Sequence, residues 1–277
     1  AGASALLVNA RLSDRSARGY ARVPGLTRSM LAALDAVAVQ TASHGERFLA
    51  LGLASEKLLL AGSIKFDIEL PPDIEERSAR LRARIVGSRR VFLAASTHEG
   101  EEAAALEALA GLPPDVLLVL VPRHPHRSAA VQRLIASRNL TLARHSEAKD
   151  VLPGTRVLLV DTMGELMYFY AIADIAFVGG SLTPVGGHNP MEPAALGVPV
   201  IMGPHLRNID DIATQFIDAG GLLVCDSAAA LGPAARRLLD DHDFRSASVD
   251  AATRVMEANR GALDRVVSLV GSRLDAG

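Results

Sequence analysis

The sequence predicts an α/β fold built on parallel sheets. Its short apolar runs, among them "AVAVQ", "RVFLAAS", "DVLLVLVP" and "IAFVGG", show no clean apolar–polar alternation. That pattern belongs to strands covered on both faces. Helical segments separate most of the runs, and strand–helix alternation requires right-handed crossovers between parallel neighbours. With 277 residues, 49% of them hydrophobic, the chain can bury a large core in one to two domains.

The elements follow in order. "ALLVNA" is a strand that begins almost at the first residue, so the chain is expected to be a fragment whose earlier strands lie upstream. The helix "GLTRSMLAALD" then leads to the strand "AVAVQ", and the helix "SHGERFLALG" to the strand "KLLLAG". Residues 66–90, with paired prolines and mixed charges, form the clearest break. Beyond it come the strand "RVFLAAS", the helix "HEGEEAAALEALAGL", the strand "DVLLVLVP" and the helix "HRSAAVQRLIASR". The strand "RVLLVD", the helix "GELMYFYAIAD" and the strands "IAFVGG" and "VPVIMG" continue the series, followed by the helix "NIDDIATQFIDAG". One last helix, "AATRVMEANRGALDRVVSLVGSRL", closes the chain. The expected organisation is a first Rossmann-like part over 1–70, a linker over 71–87, a complete Rossmann-like domain over 88–248 and a terminal helical segment over 249–277 that returns toward the first part.

Composition narrows the function. Lys+Arg 29 against Asp+Glu 31 gives a net charge of −2 with no long single-sign run, so a nucleic acid held through bulk charge is not expected. The single cysteine, Cys225, excludes an internal disulfide or a zinc cage and fits a reducing cytoplasm. No apolar run reaches the ~18–20 residues of a membrane helix, and the N-terminus has no basic region of a secretory signal.

In open parallel sheets, ligands bind beyond the carboxyl ends of the strands. After "RVFLAA", Ser96 and Glu99 have capping-box spacing, and free N–H groups there, with His98 close by, could also hold an anion. After "VLLVLV", Arg123 lies between Pro122 and Pro125, a stiff place for a guanidinium that can grip a phosphate or carboxylate with two parallel bonds. After "RVLLVD", Thr162 and Glu165 repeat the capping-box spacing, while Gly164 in a first helical turn suggests close approach of a ligand. The stretch 177–200 is the least ordinary: Gly179 and Gly180 end a strand, Gly186 and Gly187 permit positive φ, and Pro190 and Pro193 suit a helix start. His188 and Asn189 are turn-formers or ligand contacts. Glu192 near the helix start either serves the helix dipole or accepts bonds from sugar hydroxyls. Lys65, following "KLLLAGS", is a candidate counter-charge for a substrate anion. Asp210–Asp211 and Asp241-x-Asp243 read as solvent-facing, and neither a metal site nor a cofactor is expected.

The motifs "LVNARLSDRS", "GSIKFD", "AASTHEGEE", "VPRHP", "DTMGEL" and "FVGGSLTPVGGHNPMEPAALGVPVIMGPH" resemble those of the Kdo transferases, which move 3-deoxy-D-manno-octulosonic acid (Kdo) from CMP-Kdo onto a lipid A precursor in lipopolysaccharide synthesis; the terminal "EANRGALDR" also matches. The resemblance implies a glycosyltransferase B-type fold, two Rossmann-like domains with the first incomplete here. It makes the second domain the donor domain, with Pro122, Arg123, Met163, Gly164, Glu165, Asn189, Pro190, Met191 and Glu192 contacting CMP. Ser96, His98, Gly179, Gly180, Gly187 and His188 are further candidate contacts, and Lys65 would stabilise the transition state. It also implies inversion at the anomeric carbon without a metal, at the cytoplasmic face of the inner membrane. The family's base glutamate and its membrane-associated helix belong to an upstream segment, so this chain alone is expected to bind donor and to transfer slowly or not at all. The competing expectations are a B-type glycosyltransferase or epimerase with another nucleotide sugar, and a non-catalytic CMP-sugar-binding fragment.

Overall fold

A computed structural model describes residues 4–147 and 151–274; residues 1–3 and 275–277 of the expected terminal segments lie outside them. The chain divides into two compact units, residues 1–68 with 257–277, and residues 69–256.

The first unit opens with β1 (Leu6–Ala10), α1 (Asp14–Tyr20), α2 (Pro24–Ala32), β2 (Ala36–Val39), α3 (Ala42–Ala50) and β3 (Leu58–Leu60). Ser13 caps α1 by accepting from the Ser16 N–H, Thr41 caps α3 through the His44 N–H, and Pro24 begins α2 where its missing N–H costs nothing. The strands form a parallel sheet in the order β1-β2-β3. Every residue of the central strand is buried, as its uninterrupted "AVAV" requires.

The second unit contains α4 (Ile74–Ile85), β4 (Arg90–Thr97), α5 (Glu101–Ala110), β5 (Val116–Pro122), α6 (Ser128–Ser137), β6 (Leu142–Arg144), β7 (Val157–Leu159) and α7 (Leu166–Ala171). It continues with β8 (Ile175–Val178), α8 (Met191–Ala195), β9 (Val200–Met202), α9 (Asp210–Ala219), β10 (Leu222–Val224) and α10 (Ala228–Asp240). Among the described residues, seven strands make one parallel sheet in the order β10-β9-β8-β4-β5-β7-β6. Two apolar layers cover its faces, one with Phe92, Leu118 and Phe177 against α5 and α10, the other with Leu93, Val119 and Phe169 against α4 and α7. Alternate residues of the same strands feed opposite layers, which is why these runs are apolar throughout.

Several expectations are corrected. Residues 71–87, read as a linker, carry α4, whose Leu81 and Ile85 join the second layer; its many arginines hid an amphipathic helix. β6 and β10, three residues each, were not expected: β6 is only partly buried, and the apolar run of β10 is too short to stand out between glycines and an aspartate. The closing helix is two helices, α11 (His242–Asn259) and α12 (Ala262–Leu274), broken at Gly261 with φ +78°. Asp67 receives the Gly261 and Leu263 N–H groups at 2.7 and 2.6 Å, which ties α12 into the first unit.

Candidate functional site

The strand order reverses direction at β4: the chain passes from β4 to β5 on one side, while β8 lies on the other. Such a switch point opens a crevice at the carboxyl ends of the strands. The carboxyl ends of β4, β5, β7 and β8 and the segments that follow them carry the candidate donor-site residues.

Gly179 lies where β8 passes the end of β4. A Cβ there would stand 2.6 Å from the Ser96 carbonyl oxygen and 2.7 Å from Glu101 Oε2, so only glycine fits. Gly180 has φ +68°, and a Cβ on it would meet the His188 ring at 2.9 Å. The atoms that crowd these glycines are therefore the chain's own. The turn closes on itself, with the Gly186 and Gly187 N–H groups both donating to the Gly180 carbonyl and the His188 N–H to that of Gly179.

Ser96 does not cap a helix. β4 runs on through Thr97, Ser96 has φ +53°, and α5 starts only after Gly100. His98 and His188 are partly buried and face each other, Nε2 to Nε2 at 2.8 Å with the rings nearly parallel. Burial lowers the pKa of both imidazoles against the opposing charge of Glu101; His124, Arg127 and Arg123 add to the lowering at His98, and His98, Arg123 and His124 at His188, so the fold favours the neutral forms.

Arg123 follows β5. Its N–H donates to the Thr97 carbonyl at 2.9 Å, while its guanidinium is exposed and has no hydrogen bond or ion pair among the described residues. Its neighbour Arg127 is the paired cation, on Glu99 and the buried Glu102. Ser96, Pro122, Arg123, Met163, Gly164 and Glu165 line one recess. Gly164 precedes α7 with φ +81° and does not sit in its first turn. Thr162 and Glu165 make no capping box either: the Thr162 hydroxyl donates to Glu165 Oε2 at 2.7 Å, His145 Nε2 lies 3.1 Å from the same oxygen, and Arg77 donates to Oε1. Burial works against this carboxylate's charge, yet Thr162, His145 and Arg77 outweigh it and hold its pKa below the usual range.

At α8, Pro190 and Met191 are buried. Asn189 is a turn-former whose Oδ1 accepts the Met191 N–H at 2.9 Å, and its Nδ2 donates to Glu192 Oε1 at 3.3 Å. Burial raises the Glu192 pKa, with Asn189 and Arg123 acting in the opposite sense. Lys65 belongs to the first unit, exposed on a single 3₁₀ turn. Glu101 and Glu102 were missed by sequence reasoning. The available signal was a pair of carboxylates heading a helix that is apolar but for Glu107, where two charges have no reason to be buried unless something holds them.

A switch-point crevice in a parallel sheet, preceded by a second parallel sheet, defines a protein of the glycosyltransferase B-type fold. The UDP-GlcNAc 2-epimerase of Neisseria meningitidis shares this fold, at a TM-score of 0.62 and 15% identity over 97% of this chain and 69% of that one. The family is closer in sequence. Residues 1–68 match the family model described as 3-deoxy-D-manno-octulosonic-acid transferase (kdotransferase). The 3-deoxy-D-manno-octulosonic acid transferase of Haemophilus influenzae is 38% identical over 98% of this chain and 64% of its own length, and that of Bordetella pertussis is 37% identical over 94% and 62%. The C-terminal CMP-Kdo binding domain of WaaA from Acinetobacter baumannii aligns at a TM-score of 0.62 with 34% identity, over 66% of this chain and 97% of that domain. The chain belongs to the Kdo transferase family, and it spans a little over three-fifths of the length of these curated relatives.

Proposed function

We propose that this chain binds CMP-Kdo through its second unit and serves the transfer of Kdo to a lipid A precursor in lipopolysaccharide synthesis. The observation that carries the reading is Arg123, an exposed guanidinium with no partner among the described residues, set at the switch point within electrostatic reach of His98, His188 and Glu192. The 34% identity to a solved CMP-Kdo binding domain supports it. In this reading Arg123 forks onto the donor phosphate. The recess of Pro122, Met163, Gly164 and Glu165 takes the cytosine, and Glu192, steadied by Asn189 and the Pro190–Met191 backbone, accepts from the ribose hydroxyls. Transfer with inversion forms a bond from an acceptor hydroxyl oxygen to the anomeric carbon, on the face opposite the departing phosphate. The carbon–oxygen bond to CMP breaks, CMP leaves with the electron pair, and a general base takes the hydroxyl proton. Lys65 is assigned the counter-charge to the developing negative charge. The arginine and lysine meet the donor's phosphodiester and carboxylate without a metal. The proposed workplace is the cytoplasmic face of the inner membrane; no described helix is long and apolar enough to cross a membrane.

Calorimetric titration with CMP, UMP and AMP tests the donor site. Preferential CMP binding, weakened roughly tenfold or more by Arg123→Ala and by Glu192→Ala, is expected when charge-assisted hydrogen bonds are lost. Equal affinity for the three nucleotides, or indifference to both substitutions, overturns the assignment.

A further inference from the structure

The turn after β8 has the geometry of an anion-binding nest, with successive backbone N–H groups turned to one side. Its anion is already present. Glu101 Oε1 accepts from Ser181 and Leu182, both at 2.9 Å, and Oε2 accepts from Gly180 and from His98, both at 2.8 Å. The residue is fully buried. A carboxylate offers about four lone-pair directions, and here all are used by backbone donors that lie far apart in the chain. The N–H groups of this turn are therefore spoken for, and a ligand phosphate cannot use them without expelling a buried carboxylate.

The same oxygen, Oε2, joins the backbones of His98 and Gly180. The His188 ring lies against Gly180, within 3 Å of where a Cβ would stand. One carboxylate thus sets the backbone beneath each of the two imidazoles that meet through their Nε2 atoms.

We propose that Glu101 is a positioning residue, an internal anion that fills the glycine turn's nest, aligns the His98–His188 pair and leaves the donor's phosphate to Arg123 and the imidazoles. The last part rests on the donor-site reading above; the alignment of the histidines does not.

The test uses the full chain, labelled with ¹⁵N, as wild type and Glu101→Gln. Glutamine keeps the shape but turns an NH₂ group toward backbone donors. In the free wild type, the His98, Gly180, Ser181 and Leu182 amide protons should exchange slowly, and rapid exchange would overturn the proposal. Saturation with CMP should leave those four amide resonances near their free positions, whereas large downfield shifts would mean that the phosphate enters the nest. In Glu101→Gln the side-chain nitrogen resonances of His98 and His188 should move and their titration should shift to lower pH, because the carboxylate that favours both imidazolium forms is gone. CMP affinity should fall roughly tenfold, as when a charge-assisted hydrogen bond loses its anion. Unchanged histidine resonances in a folded variant would sink the alignment, and unchanged CMP affinity its role in binding. Should Glu101→Gln fail to fold, the wild-type exchange and CMP titration decide by themselves. A wild type that binds no CMP refutes the donor-site reading, while the histidine resonances and amide exchange still test Glu101.

Discussion

Glu192 carries a conflict between stability and binding. Burial raises its pKa, so its protonated form is the one the fold prefers. The sign follows: the contribution is fully present below the ordinary glutamate value and is lost as pH rises through the raised one. Glu192→Gln, neutral throughout, should therefore melt higher than wild type at pH 7.5. The advantage should shrink by pH 4.5 while CMP affinity falls, and a thermal scan at the two pH values with a parallel titration checks both. The His98–His188 pair has the opposite sign. Both pKa values are depressed by burial, with nearby cations adding to it, so their contribution is present above the ordinary imidazole value and lost as pH falls. Urea midpoints should decline as pH falls below about 6.5, and His98→Gln/His188→Gln should flatten that decline. An unaltered slope would mean that other groups carry it. At this scale the sequence shows which residue types could act: an arginine after an apolar strand, a carboxylate at a helix start. It does not show that Arg123 is unpaired among the described residues while Arg127, four residues on, is committed to Glu99 and Glu102.

At the scale of elements, the long strands β4 and β5 were legible because burial on both faces leaves an unbroken apolar run in each, 91–95 and 116–121. The edge strands β6 and β10 were not, since three residues are too few for a pattern and β6 is only half-buried. The helix α4 was obscured by its charge, although Leu81 and Ile85 sit at i, i+4 spacing on the buried side. The glycine turn was conspicuous in sequence, but its reason was not: the close approach is made by Glu101 and His188 of the same chain. Gly180→Ala should therefore strain a positive-φ position and push the His188 ring aside. A loss of about 1–2 kcal/mol, the cost of left-handed backbone for an L-residue, is expected in denaturant unfolding, with perturbed His188 resonances. Full stability in that variant would contradict the fit described here.

For the whole molecule, the second unit holds its own sheet and both apolar layers that cover it. Residues 69–256 expressed alone should then unfold in one cooperative transition and bind CMP within about threefold of the full chain, a difference under 1 kcal/mol. A non-cooperative melt or lost binding would show that this unit needs the first. The sequence by itself determined the parallel α/β class, the strand ends at which polar groups gather and the family motifs, because burial on both faces and helix starts leave local patterns a few residues long. Only the tertiary structure decided that Glu101 fills the glycine turn, that His98 meets His188 and that the Arg123 guanidinium has no hydrogen-bond or ion-pair partner among the described residues. Those bonds join residues about 80 to 90 positions apart. A buried polar group is satisfied by whichever donors the fold brings to it, and the spacing of residues along the chain carries no mark of that choice.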